Sequence, residues 1–298
     1  MLENICEYDN FLQNALTIKG SITPKVIKRV LFIVLYASLI SLLNYRSPNL
    51  FVLPITPFEY GGFIMGLILV FRVNAGYERW WEGRKLWGNV VNDSRNLAII
   101  INQYIGTDQA KELKTKLCYY TFLFPYLIKD QLRNKKNSSF LKEYLDEQTY
   151  LTVMQADKPS IALSNLIAKE LHYAHKQGLL DSFAFIQAEK TRAGLVDSLG
   201  GCERILKTPM PFVMAVKSRR FILCFLLMLP LALIKISNLF ISPVITGLIA
   251  YALFALDQIG VELQNPFSER NLSHLPLDKI CHAIHQDVVS IFDQSSEA

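Results

Sequence analysis

The chain has few charged residues, and they are unevenly placed. Only 19% of its 298 residues are Asp, Glu, Lys or Arg, whereas a soluble domain carries about 25%. Four apolar blocks contain a single charge, Glu59, between them, while the stretch from Lys111 to Lys217 is densely charged. This unevenness favours membrane spans joined to a polar part over a uniform soluble globule.

Paired cysteines are also missing. The five cysteines are odd in number, widely spaced and without a C-x-x-C pair, so neither a disulfide framework nor a zinc site is indicated. We expect reduced structural thiols at Cys6, Cys118, Cys202, Cys224 and Cys281.

The sequence lacks the signatures of enzymes. It contains no G-x-S-x-G, no P-loop and no G-x-G-x-x-G. The pairs His172/His175 and His282/His285 have a helical spacing that can bind a metal, but no carboxylate accompanies them at the H-E-x-x-H spacing. We interpret them as exposed or packed histidines, and we predict that the protein is not an enzyme and has no metal or cofactor.

The net charge of +5 comes without any nucleic-acid-binding motif. The basic residues flank the apolar blocks instead, so we expect a lipid bilayer as partner and no nucleic acid. The N-terminal MLENICEYDN is polar and acidic, unlike a cleavable signal peptide.

The four apolar blocks predict four transmembrane helices. A lone span needs about 20 residues, and the first and third blocks have only 14 each. Flanking Lys and Arg stems can extend them, and each short block pairs with a longer one across a short connection. The alternative is a large soluble helical bundle. The blocks are Val30–Leu43, Phe51–Phe71, Phe221–Ile234 and Leu239–Leu256.

Basic residues set the expected orientation. They precede the first span and flank the segment from Arg72 to Lys217, while the two short connections hold only Arg46 and Lys235. By the positive-inside rule, both termini and the long segment are cytoplasmic in a multi-pass protein of the cell membrane.

The rest of the chain is predicted to be helical, which makes the fold all-α. Helical spacing runs through Leu163–Leu180, Ser182–Leu199 and Leu277–Phe292, and the apolar patch Cys118–Ile128 reads as a buried helix. We therefore predict an N-terminal helix with spans one and two (1–76), a cytosolic helical region (77–211), spans three and four (212–260) and a cytosolic C-terminal segment (261–298).

Three apolar residues of the second span lie four residues apart. On a helix, Phe63, Leu67 and Phe71 form one stripe that drifts by about 40° per step. Copies of this helix around an axis would turn the stripe into apolar rings, which can gate a pore by dewetting. A membrane helix is apolar all round, however, so periodicity alone does not select this face.

A dense aromatic and basic motif follows. It reads FR-x-x-A-x-Y-x-R-W-W-E-G-R at Phe71–Arg84, then L-W-G, and it holds all three tryptophans of the chain. Two further pieces are GGCERI-x-x-T-P-x-P-F at Gly200–Phe212 and E-x-x-N-P-F at Glu262–Phe267, followed by LPLD-x-I-C. The residues carrying the pattern include Arg72, Tyr77, Arg79, Trp80, Trp81, Glu82, Arg84, Trp87, Gly88, Asn265, Pro266 and Phe267.

These pieces, in this order, resemble the bestrophin family in its bacterial branch. The resemblance implies a homopentameric, almost entirely helical ion channel with four spans per subunit, a large cytosolic part and one central pore. It implies that Phe63, Leu67 and Phe71 line the narrow neck. It also implies a second, cytosolic constriction near Asp181, Ser182 and Phe183.

Two properties differ within that family. Animal members carry an acidic run after N-P-F that binds calcium; here Ser268, Glu269 and Arg270 follow, so we expect no calcium activation. Animal members conduct anions and bacterial ones have been associated with cations. A ring of Asp181 carboxylates would favour monovalent cations such as Na⁺ or K⁺, so we expect these over chloride. The alternatives are a transporter or membrane-anchored enzyme with this fold, and a non-conducting helical scaffold.

Overall fold

A computed structural model describes residue 11 and residues 15–47, 52–106, 110–135, 139–234 and 238–293. Every regular element in these ranges is helical, which confirms the all-α prediction, and Cys6 lies outside them. The α-helices are α1 (Thr23–Arg46), α2 (Thr56–Tyr104), α3 (Lys111–Arg133), α4 (Glu147–Gln155), α5 (Pro159–Lys176), α6 (Ser182–Lys207), α7 (Phe212–Leu233), α8 (Ile241–Glu262) and α9 (Leu277–Asp293), with a 3₁₀ turn at Phe140–Glu143.

The chain divides into two compact units. The first unit consists of Met1–Arg79, Pro209–Gln264 and Arg270–Ser273. The second consists of Trp80–Thr208, Asn265–Glu269 and His274–Ala298. The division falls inside α2, at Arg79, because the apolar half of this helix packs in the first unit and its polar half in the second.

In the first unit, α1, α7 and α8 pack with the N-terminal half of α2. Its core is aliphatic and includes Ile33, Met65, Leu69, Ile222 and Leu226. The helices α1 and α8 approach so closely that a Cβ at Gly247 would lie 2.7 Å from Cγ2 of Val34.

Among the described residues, α1, α2 and α8 are long and apolar enough to cross a membrane. They include the whole of the first predicted span and most of the second and fourth, from Thr56 and from Ile241 onwards. The third predicted span lies in α7, which carries Lys217, Arg219 and Arg220 in its first half. The uncharged stretch that follows them, from Phe221 to Leu233, is too short to cross a membrane alone, and this is why length and composition alone do not identify α7 as a span.

The second unit is built around α3. Phe122, Leu123, Phe124 and Ile128 of this helix are fully buried, which confirms the buried helix predicted over Cys118–Ile128. The helix ends at Arg133, where Asn134 takes a left-handed conformation with φ of 52°.

One histidine of each pair packs in the second unit, and the other, His172 or His282, is exposed. His285 stacks on Phe122 with ring centroids 4.1 Å apart, and His175 stacks on Phe185 at 4.8 Å. Across the described ranges, no group of three or more His, Cys, Asp or Glu side chains is arranged to hold a metal ion.

Four of the five cysteines lie in the described ranges, and all four are free thiols. Burial raises the pKa of Cys118, Cys202 and Cys281 to about 12, so these thiols stay protonated at neutral pH and are poor nucleophiles. Cys224 is exposed on α7.

Candidate functional site

The first half of α2 has one free face and one buried face. Phe63, Leu67 and Phe71 are 75%, 48% and 60% exposed, respectively. Met65 and Leu69 are each 1% exposed. Since successive residues of a helix are rotated by about 100°, the three exposed side chains project on the side opposite to the two buried ones. The predicted stripe is therefore a free apolar surface of the chain.

The same stripe continues towards the end of the first unit with polar residues. Asn74 and Glu78 follow Phe71 at helical spacing, and both are exposed. The motifs of the sequence do not single them out, although the spacing that relates Phe63, Leu67 and Phe71 extends to them. The free face of α2 thus changes from apolar to polar along its length.

A buried charge cluster lies behind this face. Arg72, which is 2% exposed, forms an ion pair with Asp257 of α8, which is 3% exposed at its side chain. Arg219 of α7 donates from Nε to the second oxygen of the same carboxylate at 3.3 Å. A single carboxylate thus ties α2, α7 and α8 together, and the ion pair with Arg72 is costly to break because both of its groups are buried.

Small residues let α2 and α8 approach each other around the cluster. A Cβ at Gly76 would lie 3.1 Å from Cβ of Leu263 and 3.3 Å from the carbonyl oxygen of Gly260. A Cβ at Gly260 would lie 3.4 Å from Cγ of Arg72. Arg79 adds a hydrogen bond from Nε to the carbonyl oxygen of Gln264, at 3.2 Å.

The family-like motif continues in the second unit. Trp80 and Trp81 stack with ring centroids 6.4 Å apart, and Trp87 is fully buried in the core. Glu82 accepts a hydrogen bond from Arg204 of α6. These contacts give the motif a structural role, which is to fix α2 against its neighbours.

The remaining motif residues also lie on α2. Tyr77 is exposed in the first unit. In the second unit, a Cβ at Gly88 would lie 3.5 Å from Nη1 of Arg84, an ordinary contact distance.

The N-P-F segment packs on α2 within the second unit. The backbone N–H of Phe267 donates to Oδ1 of Asn265 at 3.1 Å, and the Phe267 ring is fully buried. A Cβ at Gly83 would lie 2.9 Å from Cγ of Pro266 and 3.3 Å from Cε1 of Phe267. Glycine is therefore needed at position 83 because a rigid proline ring occupies the space of a side chain.

The constriction candidates stand at the start of α6. Asp181 is its N-cap, and its carboxylate accepts from the backbone N–H groups of Phe183 at 2.8 Å and Ala184 at 3.1 Å. Ser182 is exposed, and the Phe183 ring is 86% exposed. One carboxylate oxygen of Asp181 is thus engaged in capping a helix, which the sequence analysis did not anticipate. The assignment of these residues to a constriction stays a prediction.

Comparison with known proteins identifies the family. The model of the bacterial and fungal bestrophin proteins matches residues 6–290. The chain therefore belongs to the bacterial and fungal bestrophin family, as its motifs had indicated, and it is a membrane protein.

Several curated relatives are similar over nearly their whole length. One is the voltage-dependent anion channel-forming protein mll4386 of Mesorhizobium japonicum, which is 32% identical over 97% of this chain and 91% of its own. Another is the voltage-dependent anion channel-forming protein alr2987 of Nostoc sp., 30% identical over 94% of this chain and 91% of its own. These relatives are named as channel-forming proteins and not as enzymes.

Solved structures agree with this result. A crystal structure of a bacterial bestrophin homologue from Klebsiella pneumoniae superimposes with a TM-score of 0.83 at 26% identity, covering 90% of this chain and 98% of that one. A variant of the same homologue gives a TM-score of 0.84. The fold of the chain is thus bestrophin-like.

Replacing Asp257 by Asn should destabilise the first unit by about 3–5 kcal/mol, because it leaves Arg72 buried without a counter-charge. The measurement is thermal unfolding of the purified chain in detergent. Glu59→Gln, at an exposed carboxylate of the same unit, is the control. The double variant Arg72→Met with Asp257→Leu should recover most of the loss, since it removes both charges. A loss no greater than that of the control would contradict a structural role for the ion pair.

Replacing Gly83 by Ala should cost about 1–3 kcal/mol, because the new methyl group overlaps the ring of Pro266. Gly88→Ala on the same helix is the matched control, since its Cβ meets nothing closer than 3.5 Å. That control should be neutral or stabilising, as alanine favours a helix. Equal unfolding midpoints for the two variants would refute the proposed contact.

Proposed function

We propose that the chain forms a homopentameric channel that conducts small monovalent ions passively, with the neck lined by Phe63, Leu67 and Phe71. The observation that carries the proposal is the free apolar stripe on α2, backed by the buried pair of Arg72 and Asp257. A stripe of this kind, repeated around an axis, makes the apolar rings of a constriction. Family membership and the names of the relatives support a channel.

The polar end of the stripe favours a pore over contact with lipid. An apolar face alone would suit lipid tails equally well. Asn74 and Glu78 continue the same face and are exposed, and a carboxylate in that position is stable in water but not in hydrocarbon. A water-filled path along the stripe accommodates both its apolar and its polar part.

Four spans and cytoplasmic termini belong to the same proposal. The third span, predicted over Phe221–Ile234, would be the part of α7 from Phe221 to Leu233, whose 13 residues measure about 20 Å along the helix axis. Lys217, Arg219 and Arg220 can extend it, because their long stems lie along apolar surface while their charges reach water.

We further propose that calcium does not gate this channel. Glu269, the one acid directly after N-P-F, is paired with Lys135 at 2.5 Å and Arg133 at 2.7 Å. The Lys135 hydrogen bond and the Arg133 charge lower the pKa of Glu269, so its charge is already neutralised by neighbouring cations. A calcium ion would have to displace both of them and would find too few further oxygen ligands.

The ion selectivity of the proposed channel has two candidates, anions and cations, and each is favoured by a different observation. The relatives are named as anion channel-forming proteins, which favours chloride and does not support the cation preference expected from the sequence. The Asp181 ring was the basis of that expectation, and the capping role of this carboxylate weakens it. The exposed carboxylate of Glu78, on the stripe that contains the neck, is the observation that still favours cations.

The triple variant Phe63→Ala, Leu67→Ala, Phe71→Ala should widen the neck and raise unitary conductance in planar bilayers at least severalfold, because dewetting is weaker between small side chains. Ile68→Ala is the matched control: it lies on the same helix but about 90° from the stripe, beside α7. Its currents should equal those of the unmodified protein.

The oligomer is verified for each protein by its mass in detergent. A chain that remains a monomer, or forms oligomers without unitary currents, would favour the scaffold or transporter alternatives. Unchanged conductance in a correctly assembled triple variant would remove these residues from the pore.

Reversal potentials under a salt gradient decide the sign of the permeant charge. If Glu78 selects cations, the unmodified channel should reverse near the cation equilibrium potential, and Glu78→Gln should shift the reversal towards zero. Glu112→Gln, at the exposed first turn of α3 in the second unit, is the control. The anion alternative would be established if the unmodified channel reverses near the chloride equilibrium potential and Glu78→Gln does not change that reversal potential.

A further inference from the structure

A groove of about 480 Å³ opens between α1, α7 and α8 of the first unit. One end of it is basic, with Lys28 and Arg29 from α1 and Arg219 from α7. The rest of its wall is apolar and consists of Phe32, Ile33, Ile222, Leu223 and Phe254. This combination suits a ligand with an anionic end and a hydrocarbon end.

The basic end of the groove has unused charge. Asp257, a buried residue of its lining, is engaged by Arg72 and Arg219. In the part of the chain that the structure describes, Lys28 and Arg29 are exposed and neither forms an ion pair with a carboxylate. Three cations and one carboxylate leave the lining with a net charge of +2, so an anion would be attracted to this end.

The groove lies where a lipid headgroup would lie if α1, α7 and α8 cross the membrane. Lys28 and Arg29 directly precede the apolar block of α1, and Arg219 comes just before that of α7. Asp257 directly follows the apolar block of α8. The charged end of the groove is therefore at the boundary of all three blocks, and the apolar wall extends from it along them.

We propose that this groove binds an anionic phospholipid, with its phosphate between Lys28, Arg29 and Arg219 and an acyl chain along Phe32 and Leu223. Basic pockets between membrane helices on the cytoplasmic side bind anionic headgroups of this type. The apolar wall excludes free inorganic phosphate as the preferred ligand, because a small anion would leave that wall exposed to water. A bound lipid would connect α1 and α7 beside the charge cluster that supports α2.

The test measures phosphatidylglycerol bound per subunit of the full-length protein by native mass spectrometry from detergent micelles, with phosphatidylcholine as the neutral comparison. The unmodified protein should retain phosphatidylglycerol in preference, and 10 mM inorganic phosphate, roughly ten-thousandfold above a micromolar lipid, should not displace it. Lys28→Gln with Arg29→Gln should weaken binding about 30-fold, at about fivefold per cation. Because these two side chains are exposed and unpaired, the unfolding temperature without lipid should not change.

Lys217→Gln with Arg220→Gln is the matched control. It also removes two positive charges next to an apolar block, but from α7 instead of α1. Lys217 and Arg220 lie on the side of α7 that faces a different groove. Equal weakening by both double variants would overturn the proposal, since any two cations near the membrane surface would then suffice. Retention of phosphatidylglycerol by the Lys28/Arg29 variant, displacement by phosphate, or equal retention of phosphatidylcholine would overturn it as well.

Discussion

Arg72 is buried on the rear side of α2, and Asp257 is the acceptor that neutralises it. Neither group is tolerated alone in an apolar interior, so each requires the other, and Arg219 completes the coordination of the carboxylate. The buried face of the first half of α2 otherwise packs through aliphatic side chains such as Met65 and Leu69, whose contacts are non-directional and leave freedom of rotation about the helix axis. The ion pair removes that freedom, and every residue on the opposite face, from Phe63 to Glu78, takes its direction from it.

Composition and spacing were sufficient for the helical architecture. Charge-poor blocks with basic flanks lie in helices because an apolar environment requires every backbone hydrogen bond to be made within the segment. The weaker case was α7, where three cations interrupt the apolar pattern and length alone does not distinguish a span from a core helix. The partner of Arg72 could not be predicted either, since 185 positions separate it from Asp257 and no local pattern links them.

Asp181 illustrates where prediction from sequence ends. As a residue type it suits a selective ring and a helix N-cap equally well, and the choice depends on backbone angles that a motif does not encode. Its extended conformation at the start of α6 directs the carboxylate to two backbone N–H groups. Glu78 was overlooked for the converse reason, because it belongs to the conspicuous aromatic and basic motif and its position on the stripe matters only once the direction of α2 is known.

The distribution of tryptophan has a spectroscopic consequence. The three indoles, Trp80, Trp81 and Trp87, all belong to the second unit, and the first unit contains none. Intrinsic indole fluorescence therefore reports on the second unit, and the first unit contributes no tryptophan emission. Emission spectra would follow loss of order in the helical core around α3, and the unit that contains the stripe would need a label of its own, for which the exposed thiol of Cys224 offers an attachment point.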